Sequence, residues 1–339
     1  MGGDALPFPT QRLTPDRYRD VSQRLLTLLS SHYTLACIPA PCPGKTSYGD
    51  VDILVALPHP TRPFDPVAQL GSRAVHQNGP TLSFEFEGHQ ADVIAVSEAK
   101  FGVGQLFYSY GDVGMILGMM VTAAGIKFGC KGLFLVRGDH GGQLHLSSDR
   151  SRILEWLGLS EADWLAGFED EQAVFAWLCS CRFYRPSLFS SHSQPLRHNA
   201  RRALSNRPMF VHFRQYVDTH SPANTDPADR TTAAAVQADA VAFFGCEAAV
   251  AALDAAAAKR RALKQCWNGE LVAARTGLEG KQLGLFMMAC RQLVTDDELL
   301  AMSVEEVQRF MDATYAKHVV RGGKMEQDET KEGEGSAAW

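Results

Sequence analysis

Val21, Leu25, Leu28 and Leu29 recur at spacings of three and four, which predicts an amphipathic helix. Thr14 reads as its N-cap and Pro15 as its first helical residue, with the helix running to about residue 30. Residues 33–38 read as a short apolar strand and 51–57 as a second, stopped by Pro58. Between them, 39–47 is a loop rich in Pro and Gly. After a turn over 60–66, Val67, Leu70 and Val75 predict a further helix. Residues 82–87 alternate, with Leu82, Phe84 and Phe86 on one face and Ser83, Glu85 and Glu87 on the other. Gly88 and His89 read as a two-residue hairpin turn. The return strand, 91–96, is apolar on nearly both faces and is therefore expected at the centre of a sheet.

Downstream, 111–124 reads as a helix despite its glycines, and 132–136 with 143–146 as a small hairpin. Short helices follow over 153–157 and 171–179. Beyond Cys181 the chain becomes helical and Arg-rich, then linker-like from His220 to about Thr232. Helices are expected over 233–258 (alanine-rich), 280–293 and 304–317, and the polar, charged tail from Arg321 is expected to be disordered.

The 339 residues suggest two domains, or one large one. Hydrophobic residues at 45% and charged residues at 21% exclude a mostly disordered, collagen-like or coiled-coil chain. The balance of 33 Lys+Arg against 38 Asp+Glu, net −5, argues against a uniformly basic nucleic-acid binder while leaving room for a local basic face. The 8 cysteines show no CxxC pair, and Cys179 and Cys181 stand too close for a zinc hairpin. A reducing, intracellular compartment (nucleus or cytoplasm) fits that usage. No signal peptide and no membrane-spanning stretch is evident.

The most informative stretch is GKTSYGDVDILVALP, residues 44–58. Asp50 and Asp52 open a strand and share a face, while Val51 points into the core. Two carboxylates about 7 Å apart along a strand can share hard divalent cations. Asp92 lies in the return strand, where a lone charge is costly unless paired or bound to metal. Three carboxylates converging on one end of a sheet make a two-metal phosphoryl-transfer site. The plain alternative is that Asp50 and Asp52 are solvated strand-end residues and Asp92 pairs with an arginine. Glu85 and Glu87 are nearby acids able to replace or assist Asp92.

That stretch resembles the catalytic palm motif of the DNA polymerase β superfamily of nucleotidyltransferases, and is closest to the family X DNA polymerases. Residues 91–136 are similar to the family's third-aspartate strand, its nucleotide-binding segment and the start of its thumb. Residues 153–178 are similar to a further thumb region, so the resemblance covers 13–178, half the chain. It implies an α/β (α+β) fold. On that reading a palm with a mixed sheet would span 13–100 and a thumb-like region 101–180. Beyond the resemblance, the residue pattern predicts an all-helical C-terminal domain over 181–320 and a disordered tail over 321–339. The resemblance implies Asp50 and Asp52 as ligands of two Mg²⁺ or Mn²⁺ ions, and Asp92 as third ligand and activator of the attacking hydroxyl. It implies Gly44, Lys45, Ser47, Gly49, Tyr108 and Gly111 around an NTP or dNTP. The acceptor it implies is a nucleic-acid 3′ end, so the activity would be that of a polymerase or terminal transferase releasing pyrophosphate.

The sequence departs from the family pattern at several points. Pro39-Ala40 replaces a Gly-Ser pair that holds triphosphate; proline lacks the N–H and alanine the hydroxyl. Pro43 replaces an arginine, Ile116 and Met120 replace base-contacting Asn and Arg, and Asp112 replaces a serine. Lys45, Thr46 and Ser47 could compensate. The competing expectation is a catalytically degraded module that binds nucleic acid or a protein partner.

PAPCPGKT, residues 39–46, resembles a phosphate-binding P-loop, but a strand rather than a helix is expected after it. Residues 182–214 hold Arg182, Arg185, Arg197, Arg201, Arg202, Arg207 and Arg214 without one acid. They read as a phosphate-contacting surface for nucleic acid or triphosphate, against the alternative of a helix face paired with the acidic 161–171 stretch. Phe183, Tyr184, Phe189, Phe210, Phe213 and Tyr216 among them read as core rather than base-stacking residues. The cysteines are expected to be buried.

Overall fold

The computed structural model describes residues 3–137, 142–189, 207–220 and 232–317. The chain divides into two compact units, Met1–Ala248 and Ala249–Trp339. The expected domain boundary at residue 181 thus falls inside the first unit. The expected tail over 321–339 and most of the linker expected over 220–232 lie outside the described residues.

The first unit is built on α1 (Pro15–Leu29), β1 (Tyr33–Cys37), β2 (Asp50–Pro58), α2 (Pro66–Leu70), β3 (Val75–Asn78), β4 (Thr81–Phe86) and β5 (His89–Ala95). The strands form one mixed sheet in the order β1-β2-β5-β4-β3. β2 and β5 run parallel, and the other pairs are antiparallel. The expected central strand, β5, is the middle one. The Thr14 hydroxyl caps α1 by accepting from the Arg17 N–H, with Pro15 behind it. α1 lays Val21, Leu25 and Leu29 on one face of the sheet, against Val51, Ile53, Val55, Phe84 and Val93. These side chains are essentially solvent-free and form the core.

Two expectations need correcting here. The helix through Val75 stops at Leu70, because Gly71 takes a left-handed backbone, and Val75 begins β3. The β4–β5 turn is Glu87-Gly88, both at positive φ, and His89 already pairs with Phe86.

The opposite face of the sheet carries Asp50, Asp52 and Asp92, and further along β2 it carries Leu54. There α3 (Phe101–Tyr108) crosses at Gly104, where a Cβ would stand 3.1 Å from a Leu54 methyl. α4 (Val113–Thr122) follows, then a three-stranded sheet of β6 (Ile126–Gly129), β7 (Gly132–Arg137) and β8 (Gly142–Ser147). α3 and β6 carried no strong pattern in the sequence. α5 (Arg150–Leu157), α6 (Glu161–Ala166), α7 (Glu171–Cys179), the short α8 (Pro186–Phe189) and α9 (Pro208–His220) come next. Phe189, Phe210 and Phe213 are buried, as expected of core residues. The expected alanine-rich helix over 233–258 is two helices, α10 (Ala233–Phe244) and α11 (Glu247–Cys266), parted at Gly245 with φ 68°.

The second unit is helical. It contains α12 (Gly269–Thr276), α13 (Gly280–Arg291), α14 (Asp296–Ala301) and a helix over 304–317. Its core gathers Leu263, Trp267, Val272, Phe286, Cys290, Leu299 and Val307. All eight cysteines are unpaired, but only Cys181 and Cys290 are buried; the other six are partly exposed, contrary to expectation. Among the described residues no helix is long and apolar enough to cross a membrane.

Candidate functional site

Strand alternation places Asp50 and Asp52 on one face of β2, and the parallel register sets Asp52 directly opposite Asp92 and Asp50 opposite Gln90. Four polar side chains therefore occupy one corner of the sheet, beyond the part of β2 that α3 covers. Asp50 and Asp52 line a cleft of about 1240 Å³; Asp92, beside them, does not line it. Gln90 Nε2 donates to Asp92 Oδ1 at 3.0 Å, and Ser83 also bonds the Asp92 carboxylate. Burial pushes Asp92 up, against those two hydrogen bonds. Burial first, then the charges of Asp50 and Asp92, pushes Asp52 up to about 7. Lys45 offsets that only in part.

None of the three aspartates joins an ion pair among the described residues, so the alternative in which Asp92 pairs with an arginine does not hold among them. Nor do Glu85 and Glu87 assist it. Glu85 is held by Arg73, and Glu87 by Arg17 and Arg24.

Among the described residues no group of three or more His, Cys, Asp or Glu converges tightly enough to hold a metal ion. The expected three-ligand cluster is therefore not closed. The pair Asp50/Asp52 by itself suits a hard divalent cation: its donors are all carboxylate oxygens, partly buried, repelling one another and without an ion-pair partner among the described residues. Asp92 is turned into hydrogen bonds with its own strand and with β4.

The loop over 39–49 forms one wall of the cleft. Gly44, Lys45 and Ser47 line it, as do Tyr108 and Gly111 at the ends of α3 and before α4. Gly49 is buried and does not line it. The Lys45 ammonium sits 4.7 Å from the centre of the Tyr48 ring, and Tyr48 stacks on Tyr18 with centroids 3.9 Å apart. Burial, and secondarily Asp52, holds the Tyr18 phenol well above its ordinary range. Burial and a bond to Cys130 do the same for Tyr108. The Ser47 hydroxyl accepts from Arg12 Nε at 2.8 Å, so it is already engaged.

The Pro39-Ala40 stretch is also engaged. The Ala40 N–H donates to Ser109 Oγ at 3.1 Å, and its carbonyl accepts from the Tyr110 N–H at 2.5 Å. Ser109 is buried and Tyr110 holds φ 56°, so a strained, closed turn grips the loop from behind. Ile116 and Met120, which the resemblance matched to base-contacting positions, are core residues. A strand follows the loop, which removes the P-loop reading.

Across the cleft stand Asp112, Glu171, Arg207 and His212. Arg207 pairs with Asp112 at 2.5 Å. His212 Nδ1 lies 2.8 Å from one Glu171 oxygen, and the Cys42 thiol donates to the other at 3.7 Å. Burial and that carboxylate raise Cys42 to about 12, which disfavours its thiolate.

Of the described arginines of the basic stretch, Arg182, Arg207 and Arg214 have partners within the fold. Arg182 pairs with Asp239 and lies over the Trp156 and Phe183 rings, and Arg214 Nε donates to the Phe189 carbonyl. Arg185 is partly buried beside α8. Arg197, Arg201 and Arg202 lie outside the described residues. Sequence reasoning passed over Gln90, Ser83, Tyr48 and Gly3. Gln90 carried a signal, since a polar residue two before Asp92 in a central strand must share its face.

No protein-family model matches this chain, and no curated relative is found for it.

Proposed function

We propose that the first unit is a metal-dependent nucleotidyltransferase. It would transfer a nucleoside monophosphate from an NTP or dNTP to a hydroxyl acceptor, a nucleic-acid 3′ end, and release pyrophosphate. The observation that carries this reading is the unpaired Asp50/Asp52 couple opening into a large cleft, with Asp92 opposite Asp52 in register. Asp50 and Asp52 would hold Mg²⁺ or Mn²⁺, which when bound supplies charge neutralisation at the phosphates. Lys45, steadied over Tyr48, meets the phosphates as a point charge. Gly44 lets the chain pass close to them, and Tyr108 and Gly111 border the nucleoside. Asp92 would serve as third ligand and help activate the attacking hydroxyl.

A second reading has its own observation. The Ala40 N–H is closed onto Ser109 where the polymerases that the sequence resembles hold triphosphate, and three acids do not converge. This favours a nucleotidyltransferase-fold module that has lost catalysis and binds nucleic acid or a partner.

One experiment separates the two. Purified protein is incubated with labelled single-stranded primers, each NTP and dNTP, and Mg²⁺ or Mn²⁺, beside Asp50→Ala/Asp52→Ala. Extension absent from the double variant supports transfer. Primer shifts that are equal in both proteins, sensitive to salt and indifferent to metal support the module.

A further inference from the structure

Residues 3–12 run as a strap over the starts of β2 and β5. The Gly3 N–H donates to Asp50 Oδ2 at 3.1 Å. The Ala5 N–H donates to Gln90 Oε1 at 2.9 Å. Gln90 is buried, and with its oxygen taken by Ala5 its amide nitrogen is left for Asp92 Oδ1 at 3.0 Å. One short segment thus reaches two of the three carboxylates, Asp50 directly and Asp92 through one fixed amide.

The strap is itself well anchored. Leu6 is buried, Phe8 lies under the Arg73 guanidinium, the Thr10 hydroxyl donates to the Gly3 carbonyl, and the Gln11 N–H donates to the Gly88 carbonyl. Gly3 has φ 92°, and a Cβ there would run into the Gly49 carbonyl oxygen, so only glycine brings this N–H so close to Asp50.

We propose that Gly3 and Gln90 are positioning residues for the acidic site, so that the strap is a working part of it. The proposal rests on the metal-dependent reading above. Carboxylates that ligate a cation are commonly oriented by hydrogen bonds to the remaining lone pairs, and losing such a bond weakens metal binding by about 10-fold or more. Here the donor to Asp50 comes from a residue 47 positions earlier in the chain, with no motif to mark it, and Gln90 is fixed by the same segment.

The test measures Mn²⁺ affinity by electron paramagnetic resonance for the full chain, Gly3→Pro, Gln90→Met and Asp50→Ala/Asp52→Ala. Thermal melting reports on folding. Gly3→Pro removes the N–H and cannot take the native φ; Gln90→Met keeps the volume but not the amide. The expected result is binding by the wild type, loss in the double aspartate variant, and about 10-fold weaker binding in Gly3→Pro and Gln90→Met at near-native melting temperature. Unchanged affinity in either folded single variant overturns the proposal while leaving the metal-dependent reading intact. Tighter binding in Gly3→Pro also overturns it, because the strap would then be a cover. No Mn²⁺ binding by the wild type removes both the reading and the proposal. If Gln90→Met fails to fold, Gly3→Pro decides alone, since that position lies outside the sheet.

Discussion

Asp52 concentrates the electrostatic cost of the site. Its carboxyl titrates at 3.8 when free and at about 7 when folded, because burial and two neighbouring aspartates oppose its charge. The unfolded chain therefore gives up this proton first as pH rises. Metal-free protein should lose stability progressively between those two values, and below 3.8 the penalty is absent. Asp52→Asn should flatten that part of the stability profile, measured by urea unfolding at several pH values; an unchanged slope would show that the cost resides elsewhere. Mn²⁺ should in turn raise the melting temperature of the wild type and not of Asp50→Ala/Asp52→Ala. Ser109 is a second decisive residue, as the buried acceptor for the Ala40 N–H. Ser109→Ala should cost about 1 kcal/mol in denaturant unfolding, the loss of one hydrogen bond to a part-buried donor.

At the level of elements, placement comes from glycine, proline and capping side chains. α1 begins where Thr14 and Pro15 say it should, and β2 and β5 stand where their apolar runs put them. The alanine-rich stretch is the contrary case. Alanine favours helix on every face, so propensity alone runs through Gly245, whereas a left-handed backbone there ends α10. Gly245→Ala should therefore destabilise the protein by about 1 kcal/mol, despite alanine's higher helix propensity. A stabilised protein in thermal melts would mean the break is not held by that residue. Elements without a period were the ones missed. β6 is four residues long, and α3 is apolar on most sides because the sheet and neighbouring helices enclose it.

For the whole molecule, the division after Ala248 joins the arginine-bearing segment to the unit that holds the cleft. Ion pairs of Arg207 with Asp112 and Arg182 with Asp239 link residues far apart in sequence inside that unit. Each unit has its own apolar core, so calorimetry should resolve two unfolding transitions. Phe286→Ala, deep in the second core, should lower one of them by about 3–5 kcal/mol and leave the other and Mn²⁺ binding unchanged. A single transition shifted as a whole would mean that the two units unfold together.

Residue order alone was enough to locate the strand carrying Asp50 and Asp52, the strand carrying Asp92 and the shared face of the first two, because a period of two is a local property of the backbone. It also marked the cleft-lining loop by its proline and glycine content. Only the tertiary structure decided that Gly3 and Gln90 bond the acids and that Ser109 closes the Ala40 loop. It alone showed that Arg182 and Arg214 serve the fold. Those outcomes depend on which distant segments meet at one hydrogen-bonding distance, and a single linear pattern of residues carries no such distance.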